Sequence, residues 1–208
     1  MLLLLLALGC RNVETPFPEG MEPLEENRAT CPEGSGAHSF PEEIELVSGR
    51  GDEFDWTHAC AYVLASAADT WEALKDPDVV VDRREVAEWS ALYDVEEGYD
   101  YTMLVHHLVH DLITVEYDIT WRHAVVVEGT DAPEILAVRW QKTFGASVID
   151  ILEGSMVVRS VEDDVTKLEI AQHLKAATRG PDTMESFQTD LHTDIVAFVN
   201  GDELPTYP

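Results

Sequence analysis

The chain of 208 residues is 45% hydrophobic, enough for one well-buried core. Its 41 acidic against 13 basic side chains leave a formal charge of −28, a field that repels phosphate backbones and anionic head groups, because binding them requires neutralisation by Lys and Arg. Nucleic acid is therefore not an expected partner, and an acidic excess with only four lysines also suits a high-salt setting, where screening weakens self-repulsion.

The chain opens with an apolar run, Met1 to Leu8, followed by Gly9 and Cys10. Ala7-Leu8-Gly9-Cys10 resembles the lipobox of bacterial lipoproteins, with Leu and the small residue in reversed order and no Lys or Arg ahead of the run. The resemblance implies a signal peptide over residues 1–9 and lipidation of Cys10. It also implies a place in the bacterial cell envelope, on the outer membrane or the periplasmic face, with that lipid as the membrane contact. The run is too short to span a bilayer as a helix, which needs ~20 apolar residues.

Residues 10–51 are rich in Pro, Glu, Gly and Ser and poor in large apolar side chains. Such a segment buries too little surface to offset its ordering entropy, so it reads as a flexible acidic tether or a loosely docked arm. Ile44-Glu-Leu-Val47 is open to two readings, a short strand or a segment packed on the domain. With Cys10 lipidated, Cys31 and Cys60 remain as one pair. An oxidising compartment permits a disulfide that pins the arm to the first strand; the other reading makes Cys60 a small buried hydrophobe and Cys31 a free loop thiol.

The domain is expected over residues 52–208. Trp56 to Ser66 is strand-like, and Ser66 is placed to cap a helix over residues 67–74 that puts Trp71 and Leu74 on one face. Asp76-Pro77 stops or kinks it, and Val79 to Val81 follow as a short helix or loop. The period then becomes two. Residues 86–93, 101–109, 112–127, 135–143, 155–161 and 166–176 read as strands separated by turn residues, among them Glu97-Gly98, Gly129 to Pro133 and Gly145 to Glu153. In the 112–127 stretch Ile113, Val115, Tyr117, Ile119, Trp121, His123, Val125 and Val127 share one face, with Thr114, Glu116, Asp118, Thr120 and Arg122 on the other. One face of the sheet therefore meets water and the other a helix or cavity. From Pro181 to about Asn200, Met184, Phe187, Leu191, Ile195, Phe198 and Val199 recur at threes and fours, the apolar stripe of an amphipathic helix.

This order of elements, with Tyr62-Val-Leu-Ala-Ser-Ala-Ala-Asp-Thr-Trp71-Glu-Ala-Leu-Lys-Asp76, Gly154-Ser-Met-Val-Val158 and Asp164-Val-Thr-Lys-Leu-Glu-Ile170, resembles the START-related SRPBCC superfamily, also called polyketide cyclase/dehydrase-like. The resemblance covers roughly residues 55–201. It implies an α+β helix-grip fold, a curved antiparallel sheet of about seven strands wrapped on the C-terminal helix, with an elongated apolar cavity between them. Tyr117, Ile119, Trp121, Leu168, Ile170, Phe187 and Leu191 are the expected lining, and His123 and Arg139 the expected polar contacts.

The chain contains no Gly-x-Ser-x-Gly elbow and no Gly-rich phosphate loop. His106, His107 and His110 cluster in sequence, but extended backbone sends His106 and His107 to opposite faces, and no Glu follows the first His as a His-Glu-x-x-His zinc motif requires. No metal and no cofactor are expected. The leading expectation is non-catalytic binding of a small hydrophobic or lipid-like ligand. The alternatives are a cyclase- or dehydratase-like enzyme using His123 or Tyr117 for proton transfer, and an interaction module whose core is filled.

Overall fold

The structure, a computed structural model, describes residues 20–36, 39–110, 114–130 and 132–207. The expected signal peptide and Cys10 lie outside the described residues. The strands are β1 (Ile44–Arg50), β2 (Asp55–Val63), β3 (Glu88–Tyr93), β4 (Tyr101–His110), β5 (Thr114–Val127), β6 (Ile135–Gly145), β7 (Ile149–Glu162) and β8 (Val165–Ala176). The helices are α1 (Ala67–Leu74), α2 (Pro77–Val80) and α3 (Pro181–Asn200). The eight strands form one curved antiparallel sheet in the order β1-β2-β8-β7-β6-β5-β4-β3, and α3 lies across it.

Two boundaries differ from the sequence expectation. The sheet has eight strands rather than about seven, because Ile44–Arg50 pairs with β2 from Ile44↔Ala61 to Arg50↔Asp55. Ile44, Leu46 and Ser48 point inward and Glu45 and Val47 outward, so the domain begins inside the stretch read as a tether. Strand β7 starts at Ile149, not at residue 155. A bulge between Ile149 and Ile151 breaks the alternation there, which is why Gly145 to Glu153 reads as a turn.

Local chemistry fixes the helix ends. The Ser66 hydroxyl accepts the Asp69 N–H at 3.1 Å, and the Asp76 carboxylate accepts that of Asp78 at 2.9 Å with Pro77 in the first helical position. Helix α3 ends at Gly201, whose φ of 71° is the left-handed conformation that glycine adopts without penalty.

On the concave face α3 packs mainly against β2 and β1, and α1 against β6, β7 and β8. The register Ala59↔Ile170 and Ala61↔Leu168 sets alanines beside large residues, and small side chains on β2 allow α3 to come close. On the other face, residues 20–36 are bonded down. The Leu24 N–H donates to Ser155 Oγ at 2.9 Å, and Asn27 Nδ2 donates to the carbonyls of Ala59 and Ile170 at 2.8 and 3.2 Å. A disulfide joins Cys31 to Cys60, with Cα atoms 4.6 Å apart. Glu25 Oε1 sits between His58 Nε2 and His173 Nε2, at 2.9 and 3.0 Å.

Candidate functional site

A cavity of about 380 Å³ lies between the concave face and the first half of α3. Strand β5 supplies Val115, Tyr117, Ile119 and Trp121 to its wall, and β6 supplies Trp140. The Trp121 and Trp140 rings stack with centroids 4.9 Å apart and planes at 18°. Thr183, Met184 and Phe187 of α3 close one side, and Leu152 of β7 with Gln172 and Leu174 of β8 close the other. At one end the α2–β3 connection contributes Asp82 and Glu85, and the β8–α3 connection contributes Thr178 and Arg179. These two connections are tied together, since Arg179 Nε and Nη2 both donate to Glu85 Oε2, at 3.1 and 2.5 Å.

The reason for a cavity here lies in how the helices divide the sheet. At one end of the concave face α1 and the C-terminal half of α3 cover Leu136, Val138, Met156, Val158 and Leu168, all fully buried. At the opposite end of β4 to β7 α1 is absent, and the first half of α3 with Val80 of α2 stands at the edge of the cavity without filling it.

Burial sets the electrostatics. Asp82 is half-buried, and desolvation lifts its carboxyl to about 6 against the two backbone N–H groups that Oδ1 accepts. His107 stacks on Tyr117, with centroids 4.8 Å apart and planes at 4°, and its Nδ1 donates to the Val105 carbonyl. Burial pushes the imidazole down to about 4, so it is neutral at ordinary pH. Burial also raises the Tyr117 hydroxyl above its usual range, which makes it a reluctant acid. Among the described residues, Trp121 Nε1 is buried without a hydrogen-bond partner.

The residues expected from sequence separate into two sets. Tyr117, Ile119, Trp121 and Phe187 line the cavity. Leu168, Ile170 and Leu191 do not; they are fully buried core, since β8 lies beside the alanines of β2 where α3 sits closest. His123 is also inward but belongs to the end filled by α1. The Trp71 Nε1–H donates to its Nδ1 at 3.0 Å, the Tyr101 ring meets it edge-on, and burial pushes it down to about 3. That removes His123 from ligand contact and from proton transfer in the cavity. Arg139 faces the opposite way, because its neighbours Val138 and Trp140 take the inward positions. It lies under the N-terminal arm and donates to the Glu22 carbonyl.

His106 and His107 take opposite faces, and His106 Nδ1 pairs with Asp118 at 2.7 Å on the outside. No three His, Cys, Asp or Glu side chains among the described residues are grouped to hold a metal. The wall also contains residues that the sequence did not single out. Trp140 carried a signal, since it alternates in phase with Leu136 and Val138. Asp82, Glu85 and Arg179 lie on connections, where no periodicity marks the inward side.

No family model and no curated protein matches the chain. Solved structures resemble it at low identity. The lipid transfer and protein localization domain of human StarD13 is 11% identical, covers 78% of this chain and 85% of its own, and has a TM-score of 0.49. The STAR-related lipid transfer protein from Xanthomonas axonopodis is 11% identical over 76% of this chain and 92% of its own, with a TM-score of 0.47. The Zhui aromatase/cyclase from Streptomyces sp. R1128 is 13% identical over 76% and 93%, with a TM-score of 0.43. The architecture itself, one curved antiparallel sheet with a long helix gripped at the C-terminal end of the chain, is the α+β helix-grip arrangement expected from the sequence.

Proposed function

We propose that this START-like protein is a non-catalytic binder of a small hydrophobic or lipid-like molecule, held at the bacterial cell envelope through a lipid on Cys10. The observation that carries the binding role is the cavity of about 380 Å³. It has the size of a small-molecule site and walls of aromatic and aliphatic side chains with a few polar groups at one end. Apolar walls left without a partner lose packing contacts in proportion to the volume left open. A ligand that fills the cavity recovers those contacts. A cavity that side chains leave unfilled also weighs against an interaction module with a packed core, and proton transfer is left to Tyr117 alone, whose hydroxyl burial makes a weaker acid.

The test is native mass spectrometry of the full chain purified from a bacterial host, before and after denaturing extraction. A co-purifying apolar mass that is lost from Ile119→Trp, which fills the cavity, is expected. No bound mass, together with no uptake from a total lipid extract, overturns the binding role. The anchor is tested separately by labelling cells with radioactive palmitate: label on the wild type and none on Cys10→Ala is expected, and an unlabelled wild type refutes the anchor.

A further inference from the structure

We infer that the cavity sorts amphiphiles by the charge of their head group, taking a long-chain amine most tightly, an alcohol less so, and rejecting a carboxylate. The inference rests on the ligand-binding reading above and names the class of molecule. Any of the three can place its chain against Ile119, Trp121, Leu152 and Phe187; they differ only where the head group sits.

At the polar end, Asp82 and Glu85 face the cavity from one connection and Arg179 from another. The charge of Arg179 is matched inside the protein, with two guanidinium nitrogens on Glu85 Oε2. Asp82 has no such partner. Its Oδ1 accepts the N–H groups of Arg84 and Glu85 at 3.2 and 3.3 Å, while among the described residues Oδ2 accepts no hydrogen bond. Arg84, the adjacent cation, turns away and grips Asp190 with Nε and Nη2 at 2.9 and 3.0 Å. The charges that raise Asp82 further are those of Glu85 and Asp190, both negative; Arg84 is attracted to Asp82 at a distance, but its guanidinium is bonded to Asp190 and not to Asp82. Tyr117, across the cavity, adds a neutral hydroxyl. Counted over Asp82, Glu85 and Arg179, the polar end carries one uncompensated negative charge.

An ammonium head group meets a carboxylate oxygen with open lone pairs and forms a charge-assisted hydrogen bond in a setting drier than bulk water. A hydroxyl can donate to the same oxygen without the charge. A carboxylate meets like charge and finds no unmatched cation there. The net charge of −28 acts in the same direction at long range.

The experiment compares decylamine, 1-decanol and decanoate, below their micellar concentrations, on delipidated full-length protein at pH 7 and 0.15 M salt. Binding is read from Trp121 and Trp140 fluorescence, with stoichiometry from native mass spectrometry. The expected order is amine, alcohol, carboxylate, with at least tenfold between the first and last. Asp82→Asn keeps Oδ1 as an acceptor and removes only one of 41 acids, so the long-range field is unchanged. It is expected to bring the amine down to the affinity of the alcohol and to leave the alcohol within about threefold. In the wild type, lowering the pH from 7 to 5 protonates Asp82, and the amine is expected to lose on the order of tenfold while the alcohol does not change. His107, at about 4, stays neutral over this range. Equal affinities for all three, or tightest binding of decanoate, overturns the inference and leaves the binding role standing. Binding of none of the three by the wild type overturns both.

Discussion

Gly154 makes the cavity wall possible, and replacing it gives the most direct test of how the wall is built. It pairs with Trp140 across β6 and β7, and the indole lies over the position a side chain would take. A Cβ added there would stand 1.9 Å from Cζ2 and 2.1 Å from Cε2 of Trp140. Carbon atoms in contact sit at about 3.5–4.0 Å, so in Gly154→Ala the ring must retreat by roughly 1.5–2 Å. The indole is 1% exposed and stacked on Trp121, so its retreat breaks the stack and takes up cavity volume. Overpacking of this kind costs about 1–3 kcal/mol. For a chain of this size, 2 kcal/mol corresponds to a fall in Tm of roughly 4–8 °C. Thermal unfolding followed by near-ultraviolet circular dichroism measures both parts, because the stacked indoles give a coupled signal that separates when they part. The expected outcome is a lower Tm, a weakened indole signal and reduced uptake of ligand. A variant with wild-type Tm and an unchanged indole signal would show that the wall does not depend on Gly154 and refute the reasoning.

Cys60→Ala opens a loop closed across a separation of 29 residues, worth about 3.5 kcal/mol from chain entropy; the wild type in reductant should match it in urea unfolding, and insensitivity of the wild type to reductant contradicts the prediction. His107 is pushed down by burial, so between its ordinary value and about 4 the unfolded chain binds the extra proton and stability falls as pH falls. His107→Gln should therefore flatten the limb between pH 6.5 and 4 by up to about 1.4 kcal/mol per pH unit relative to wild type, and parallel curves for the two proteins sink the idea. At the arm, burial opposes the charge of His173, yet hydrogen bonds to Glu153 and Glu25 leave its pKa raised from 6.5. Its contribution is complete below that value and lost as pH rises through the raised one. Glu25 works in reverse: burial raises it, bonds to His58 and His173 leave it lowered from 4.5, and its contribution is lost as pH falls through that lowered value. Hydrogen exchange of residues 20–36 should thus be slowest, after correction for intrinsic rates, in mild acid and faster above neutral pH; a flat profile, or one unaffected by Glu25→Gln, argues against the bonds of Glu25 to His58 and His173 holding the arm down.

Much of the architecture was legible because both signals that mark it are local. Alternation through Val115, Tyr117, Ile119 and Trp121 gives the inward face of β5, and the spacing of Met184, Phe187, Leu191 and Ile195 gives the buried stripe of α3. The first strand was harder to read because Pro- and Glu-rich sequence surrounds it. What makes Ile44–Arg50 a strand is its partner β2 and the disulfide-tied arm nearby, which are tertiary facts. The cavity was legible only in part for the same reason. Inward orientation is a property of a strand, and Leu168, Ile170 and His123 have it. Whether an inward residue meets a ligand or another side chain depends on which helix lies above it, and no periodicity records that. Arg139 shows a different failure: the parity of Leu136, Val138 and Trp140 already sends it outward, and weighting that alternation over the appeal of a buried cation would have placed it correctly.

The two ends of the concave face differ in who supplies the covering side chains. At the end holding His123, helix α1 contributes Leu74 and Trp71, and the indole of Trp71 satisfies His123 Nδ1. At the other end the sheet is just as apolar, yet what stands over it is the first half of α3, the end of α2 and two short connections joined by Glu85 and Arg179. Eight residues of α1 cannot reach across both. A sheet longer than α1 can cover, with only the first half of α3, the end of α2 and two connections over its second end, leaves a cavity there. Fold and cavity thus have one origin, the short α1. On the proposed reading, the head group the cavity accepts is decided separately, by the charges that α2–β3 and β8–α3 place at its polar end. Lengthening or shortening those connections should change which head group is accepted while leaving the sheet, and the stack of Trp121 on Trp140, intact.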